Sequence, residues 1–211
     1  MNTKVASTAE LIRERIEAST PGEPFTSSEF LEVGTRASVD QALSRLAKAR
    51  VIARVTRGVY ARPIINEYVG EVLPEPFKIA QAVARSSGAR ISMNGAEAAR
   101  RFELSTQMAT QSLYQTTGRS RQIVIGKSKI RLQHTSSRKL ALAGRPAGAA
   151  LSALYYLGKG EVTPLVIAKI RAKLEASEFL ALRNSTELMP SWMSDVFYRY
   201  EGIERRELSV A

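Results

Sequence analysis

The segment Val39–Tyr60, V-D-Q-A-L-S-R-L-A-K-A-R-V-I-A-R-V-T-R-G-V-Y, decides how the N-terminal part of this chain folds. Its apolar residues Val39, Leu43 and Leu46 recur at helical spacing, so they share one face of a helix and require a core. That helix is predicted to end near Ala49.

The second half of the segment has the character of a β-ribbon. Val51–Thr56 is rich in β-branched residues and predicts a strand. The strand is followed by Arg57-Gly58, where glycine allows the positive φ of a tight hairpin turn. A helix with a polar, basic outer face that leads directly into an arginine-bearing ribbon is typical of a winged helix-turn-helix.

The residues before this segment predict the remaining helices of such a domain. Thr8–Ala18 has the apolar spacing of a helix. Thr26 and Glu29 have the spacing of a capping box, which predicts a second, short helix that Gly34 ends. Thr35 and Ser38 are both candidate N-caps for the next helix. Residues 1–62 therefore predict helix, short helix, turn, helix and ribbon, the order of a winged helix-turn-helix DNA-binding domain.

Polar side chains on the predicted helix and ribbon are candidates for DNA contacts. Gln pairs with adenine and Arg with guanine in the major groove, whereas Lys and Arg further along a helix reach phosphates. Each of these side chains alone could equally belong to a solvated surface. The candidate DNA-binding residues are Thr35, Arg36, Ser38, Gln41, Ser44, Arg45, Lys48, Arg54 and Arg57.

Net charge favours a polyanionic partner. The chain carries 31 Lys and Arg against 20 Asp and Glu, a formal charge of +11. From residue 36 to residue 62 there are seven basic residues and one acid, Asp40, and from 78 to 145 there are thirteen basic residues and two acids. This clustering points to nucleic acid as the first partner to consider, with a merely soluble basic protein as the alternative.

A domain boundary is predicted near residue 77. Residues 63–76 contain three prolines and three glutamates with no basic residue, which indicates a linker. Residues 77–211 predict a second, mixed domain with a small antiparallel sheet and C-terminal helices. Its sheet is predicted from three strands, Met108–Gln115, Arg121–Ile125 and Lys129–His134. The predicted fold class of the whole chain is therefore α+β.

This second domain contains another candidate basic site. Like charges gathered on one surface repel one another, so proteins usually retain them for a partner. The partner could be DNA flanking the first site, RNA or an acidic protein, and a scattered solvated surface is the alternative. The residues of this second candidate site are Arg100, Arg101, Arg119, Arg121, Lys127, Lys129 and Arg131.

The residue types needed for catalysis or cofactor binding are scarce. His134 is the only histidine, there is no cysteine, and no glycine-rich phosphate loop is present. We therefore predict a protein that is not an enzyme and that uses neither metal nor cofactor. No signal peptide or membrane-spanning run is evident, which predicts a cytoplasmic protein without a membrane partner.

Four segments resemble the AbiEi-type antitoxins of bacterial type IV toxin–antitoxin systems, and together the resemblance spans most of the chain from about Leu11. The N-terminal segment A-L-S-R-L-A-K-A-R-V-I-A-R-V-T-R-G-V-Y-A-R-P, Ala42–Pro63, is similar to the winged helix of that family. One departure lies at Arg50, where the family often has glycine at the exit from helix to ribbon. The other three segments are similar to the family's C-terminal region: N-G-A-E-A-A-R-R-F-E-L-S-T-Q (Asn94–Gln107), I-R-L-Q-H-T-S-S-R (Ile130–Arg138) and L-M-P-S-W-M (Leu188–Met193).

This resemblance implies a transcriptional autorepressor and antitoxin. The winged helix would bind inverted repeats in the operon's own promoter, double-stranded DNA, through Gln41, Arg45, Arg54 and Arg57. The C-terminal domain would counter a nucleotidyltransferase-like toxin without forming a stable complex with it. The alternative is a protein-interaction adaptor in which the winged helix is a scaffold and the basic sheet binds an acidic partner. The sequence leaves the oligomeric state open, since two monomers or a dimer could read an inverted repeat.

Overall fold

The computed structural model of the chain describes residues 7–68, 70–107 and 112–208. The described part contains eight α-helices and small β-sheets, so the predicted α+β class is confirmed. It divides into two compact units. The first comprises Met1–Gly88 together with Ile123–Ile130, and the second comprises Ala89–Gln122 together with Arg131–Ala211. No helix in the described ranges is long and apolar enough to span a membrane.

Residues 7–88 of the first unit, as far as they are described, contain three α-helices and five short strands. A 3₁₀ turn, Ser27–Phe30, stands where the second helix was predicted, and Thr26 and Glu29 form the predicted capping box. In chain order the elements are α1 (Thr8–Ala18), β1 (Pro24–Thr26), α2 (Arg36–Lys48), β2 (Ala53–Thr56), β3 (Val59–Ala61), β4 (Ile64–Asn66), β5 (Gly70–Val72) and α3 (Pro76–Arg85). Strands β1, β3 and β2 form an antiparallel sheet in that order, so the predicted two-stranded ribbon has a third strand.

The core of the first unit lies where α1, α2 and the sheet meet. The predicted stripe of α2 faces it, with Val39 and Leu43 fully buried and Leu46 partly buried. The other large buried side chains of this core are Ile12, Ile16, Phe25, Phe30, Ile52 and Tyr60. Burial of several such side chains contributes about 1.5–3 kcal/mol each, which holds α2 in place with its polar face outward.

The segment predicted as a linker is a β-hairpin. Ile64 pairs with Val72 and Asn66 with Gly70, so β4 and β5 form a two-stranded antiparallel sheet. The prolines at residues 63, 74 and 76 lie outside the paired strands, which is why a composition typical of a linker can accompany regular structure.

Helix α3 belongs with the first unit, although the sequence predicted a boundary at residue 77. Ile79 and Val83 are buried, and Lys78 forms an ion pair with Glu23 at 3.0 Å. The guanidinium of Arg85 donates a hydrogen bond to the carbonyl oxygen of Pro24 at 3.2 Å. These contacts fasten α3 to the start of β1, and the division between the units falls after Gly88.

The remaining elements in the described ranges are four strands, five α-helices and a 3₁₀ turn at Thr186–Leu188. A four-stranded sheet has the order β6-β7-β9-β8, and its predicted strands are present, although residues 108–111 lie outside the described range. In chain order the elements are β6 (Ile91–Met93), α4 (Gly95–Arg101), β7 (Ser112–Thr116), β8 (Arg121–Ile125), β9 (Ser128–His134), α5 (Pro146–Leu157), α6 (Pro164–Lys173), α7 (Ala176–Asn184) and α8 (Ser191–Leu208).

The helical core of the second unit is built around α5. Leu151 and Leu154 are buried there, and α4 packs closely on α5 because Gly95 has no side chain. A Cβ atom at Gly95 would lie only 2.6 Å from the carbonyl oxygen of Ser152. Arg138 donates hydrogen bonds to the carbonyl oxygens of Leu188 and Met189, and so joins two of the segments on which the family resemblance rests.

The start of α5 is capped by a carboxylate from α7. One oxygen of Glu178 accepts the backbone N–H of Ala147 at 2.9 Å, and the other accepts Arg145 Nη2 at 2.8 Å. Arg145 first, and then the Ala147 N–H, hold the pKa of Glu178 below its ordinary value of 4.5. The contact therefore stabilises the fold at neutral pH and is lost as the pH falls through that lowered value.

We expect Glu178→Gln to be less stable than the parent chain at neutral pH, because the neutral amide loses the charge-assisted bonds to Arg145 and the N–H of Ala147. The parent chain should have the higher midpoint of urea denaturation at neutral pH. The difference between the midpoints of the parent chain and of Glu178→Gln should become smaller as the pH falls below the ordinary carboxyl pKa. A difference that stays constant over this range would contradict the assignment. Glu161→Gln, at an exposed carboxylate with no ion pair to a described residue, is the control.

Candidate nucleic-acid interface

Helix α2 presents a polar stripe to solvent on the side opposite its buried residues. We call Gln41, Ser44, Arg45 and Lys48 the recognition stripe; they recur at intervals of three and four residues and are all exposed. Ala37 continues the stripe toward the start of the helix with a small exposed side chain. Arg45 and Lys48 form no ion pair with any residue in the described ranges, so both charges are available to a ligand. This geometry agrees with the outward positions predicted from the sequence.

The three other candidates on this helix are engaged locally. Thr35 is the N-cap, and its hydroxyl accepts the backbone N–H of Ser38. Ser38 donates its hydroxyl hydrogen to the carbonyl oxygen of Thr35 at 2.8 Å. Arg36 pairs with Asp40 at 3.0 Å, which offsets the only acidic charge between residues 36 and 62. The start of α2 is therefore capped by Thr35 and Ser38, and the charge of Arg36 is offset by Asp40. The side chains of the recognition stripe have no such role within the helix.

Arg50 controls how the chain leaves α2. The backbone N–H of Val51 bonds to the Leu46 carbonyl at 3.0 Å and that of Arg50 bonds to the Ala47 carbonyl at 3.1 Å, the two bonds of a Schellman motif. Arg50 has φ +57°, the left-handed conformation for which glycine is preferred. Arginine thus adopts a left-handed helix exit that glycine would adopt with less strain. Its exposed side chain adds a cation between helix and ribbon that the candidate set from the sequence omitted.

We expect Arg50→Gly to stabilise the first unit by about 0.5–1 kcal/mol, because glycine adopts positive φ without the steric cost that a Cβ atom brings. The increase should appear as a higher midpoint in urea denaturation with an unchanged slope. Arg50→Ala is the matched control, since it removes the same charge but keeps the Cβ atom. Equal midpoints for the glycine and alanine variants would show that the backbone at this position is not strained.

The ribbon places two further arginines near the end of α2 in sequence. Thr56 pairs with Val59, so Arg57-Gly58 is a two-residue turn in which Gly58 has φ +77°. Between Arg54 and Thr56 the register shifts, and Val55 turns into the core while Arg54 stays exposed. Arg54 and Arg57 form no ion pair with any residue in the part of the chain described.

The seven cations of the second candidate site differ in their surroundings. Glu97 pairs with Arg100 at 2.7 Å and approaches Arg101 at 3.9 Å, and Arg100 holds the pKa of Glu97 below its ordinary value. Glu97 therefore offsets one of the two positive charges on α4, mainly that of Arg100. Arg119 lies in the turn before β8, and the β8–β9 hairpin carries the other four cations. All five are exposed: Arg119, Arg121, Lys127, Lys129 and Arg131.

Strand β9 has the alternation predicted for it. Ile130 and Leu132 are buried, whereas Lys129, Arg131 and Gln133 are exposed. In the second unit, Arg121 and Arg131 line an open depression of about 450 Å³ together with Gln122 and Gln133. His134 lies at the strand end, where its Nδ1 is 2.9 Å from the carbonyl oxygen of Gly118. Among the described residues, no three His, Asp or Glu side chains are grouped closely enough to bind a metal ion.

These features define an α+β protein with exposed cations on a helix, on the ribbon that follows it and on a second hairpin. Residues 11–180 match a family of unknown function, DUF6088, and the chain belongs to that family. No curated protein and no solved structure matches the chain significantly.

Proposed function

We propose that this protein is a DNA-binding autorepressor and the antitoxin of a type IV toxin–antitoxin system. The observation that carries the DNA-binding part is the recognition stripe of α2, whose Arg45 and Lys48 are exposed and without ion pairs to described residues, next in the chain to Arg54 and Arg57. Such a helix reads base edges in the major groove, and the neighbouring cations contact phosphates.

The order of elements in the first unit supports a winged helix-turn-helix. α1, the 3₁₀ turn and α2 follow one another, and β2 and β3 form the ribbon after α2, as this fold requires. Strand β1, between α1 and the 3₁₀ turn, completes the sheet. The middle helix of the trio is reduced to the single turn Ser27–Phe30. Gly34, between that turn and α2, allows its segment to approach α1 closely, because a Cβ atom there would lie 2.6 Å from Thr8 Cγ2.

Binding of the protein to the DNA upstream of its own gene tests the proposal. We expect a mobility shift with that DNA in the presence of excess unrelated competitor, and an apparent affinity that falls steeply as salt is raised. Equal binding to the upstream and unrelated sequences, or no salt-sensitive binding, would contradict the proposal.

The antitoxin part is supported by the resemblance of residues 94–107, 130–138 and 188–193 to the family's C-terminal region. It predicts a nucleotidyltransferase-like toxin encoded beside this gene. Co-expression should restore growth to cells that produce the toxin, even when Arg45 and Arg57 are replaced, because countering the toxin would not need DNA binding. Continued growth arrest in the presence of folded protein would contradict this part alone.

One observation favours the adaptor as a second candidate function. Lys129 and Arg131 are exposed on β9 and form no ion pair with any residue whose placement is described. If an acidic partner protein binds there, Lys129→Glu with Arg131→Glu should abolish its capture. If the partner protein is still captured by the double variant, this surface is not its binding site.

A further inference from the structure

The β4–β5 hairpin is an unusually exposed element. Every residue of both strands is exposed, and Ile65 and Tyr68 have 72% and 92% of their surface open to solvent. Its base is fastened, because the side chain of Ile64 lies against Gly22, whose N–H bonds to the Arg62 carbonyl at 2.9 Å. Two-stranded hairpins are marginally stable by themselves, and exposed apolar patches commonly mark interaction sites.

Charge narrows the kind of partner that could cover this hairpin. Residues 63–77 contain Glu67, Glu71 and Glu75 and no basic residue, in a chain whose net charge is +11. Glu67 and Glu71 form no ion pair with any residue that the structure describes. A nucleic acid would be repelled, and so would a second hairpin placed edge to edge, because like charges would face one another. The partner must be apolar and cationic.

The second unit contains a groove that is lined by apolar side chains and by arginines. Helices α6, α7 and α8 enclose an open space of about 540 Å³ whose floor is formed by Leu174, Phe179 and Leu180. Leu180 is 57% exposed, although it is a large apolar side chain. Two arginines and one glutamate contribute the charges of the lining, which leaves it with an excess of one positive charge. Arg171 Cζ lies 5.2 Å from the Phe179 ring centre, and Arg183 pairs with Glu201 at 2.7 Å. The depression beside Arg121 and Arg131 is lined by five polar residues and two leucines, without an aromatic ring, and matches an apolar hairpin less well.

We propose that the β4–β5 hairpin of one molecule docks in the α6–α8 groove of a second copy of the chain. One sequence carries both complementary surfaces: an acidic, apolar arm and an apolar groove with an arginine rim. The groove has room for the Tyr68 ring, and Arg171 provides a cation for Glu67 or Glu71. Reciprocal exchange of arms would form the contact twice in a closed dimer. This inference does not depend on DNA binding.

Sedimentation of the full chain over the micromolar range, without DNA, tests the proposal. We expect a concentration-dependent dimer for the parent chain and roughly tenfold weaker association for Glu71→Arg or Tyr68→Ser. Glu161→Arg, an exposed carboxylate elsewhere, should leave association unchanged. Arg171→Glu alone should weaken the dimer, and combining it with Glu71→Arg should restore it. Circular dichroism of each variant checks that the fold is kept.

A photo-crosslinking residue at position 68 identifies the docking site directly. We expect it to capture the peptide around Leu174–Arg183 of another molecule, and a mixture of two isotope-labelled populations distinguishes this from a link within one chain. A parent chain that stays monomeric, a charge swap without rescue, or capture of the β8–β9 segment would each overturn the proposal.

Discussion

Replacement of Gly148 by alanine is expected to destabilise the second unit by about 3 kcal/mol, the upper part of the usual range for overpacking. A Cβ atom at this position would lie 1.9 Å from the carbonyl oxygen of Leu142 and 2.6 Å from its carbonyl carbon. Real Cβ atoms do not approach that closely, and the obstacle is backbone. The first turn of α5 would have to separate from residues 142–145, whose place is held by Arg145 through Glu178.

The fluorescence of Trp192 measures this effect, because it is the chain's single tryptophan and packs against the helical core of the second unit. Gly160→Ala is the matched control: no atom lies within 4 Å of a Cβ there, and its φ lies outside the left-handed region. We expect that control to change the unfolding free energy by less than about 0.5 kcal/mol. Equal unfolding midpoints for the two variants would show that Gly148 is not tightly enclosed.

Combined replacement of Arg45 and Arg57 by alanine is expected to weaken binding to the upstream DNA by about 100-fold. Loss of a base-reading side chain costs about 1–3 kcal/mol, and loss of a phosphate contact lowers the slope of affinity against salt by about one. Both side chains are exposed and form no ion pair with a described residue, so their removal leaves no buried charge without a partner. Fluorescence anisotropy at several salt concentrations separates the two contributions.

The control for this experiment removes the same charge from the second unit. Lys159 and Arg199 are exposed and without an ion pair to any described residue, so Lys159→Ala with Arg199→Ala lowers net charge equally. If both double variants bind DNA equally weakly, net charge rather than the recognition stripe governs binding. Gln41→Ala refines the result, because loss of an amide that reads adenine should change sequence preference without changing the salt slope.

The sequence predicted those elements whose signals are local. Helix α1 and strand β8 have the predicted bounds, and the capping box at Thr26 and the turn at Gly58 are present, since each depends on neighbouring residues. The outward stripe of α2 follows from helical spacing in the same way.

Features that depend on distant partners were missed. Strand β1 has only three residues and exists because Phe25 pairs with Tyr60, far along the chain. The β4–β5 hairpin has the composition of a linker. Its glutamates and prolines led to the prediction of a linker, although Ile64 pairs with Val72. The left-handed backbone of Arg50 is local, and it was missed for another reason: it contradicts the preference of its own residue type. The close approach at Gly148 requires the position of another segment, which periodicity cannot supply.

The first unit is built from two separate segments of the chain, which affects how it folds during synthesis. Its last segment is Ile123–Ile130, and residues of the second unit lie between that segment and Gly88. Domains usually fold in order as the chain leaves the ribosome. Here the N-terminal unit stays incomplete until residue 130 has emerged, so a nascent chain that carries α2 and the ribbon still lacks part of its own unit. A ribosome stalled between residues 88 and 123 should therefore hold a more protease-sensitive N-terminal unit than one stalled well beyond residue 130.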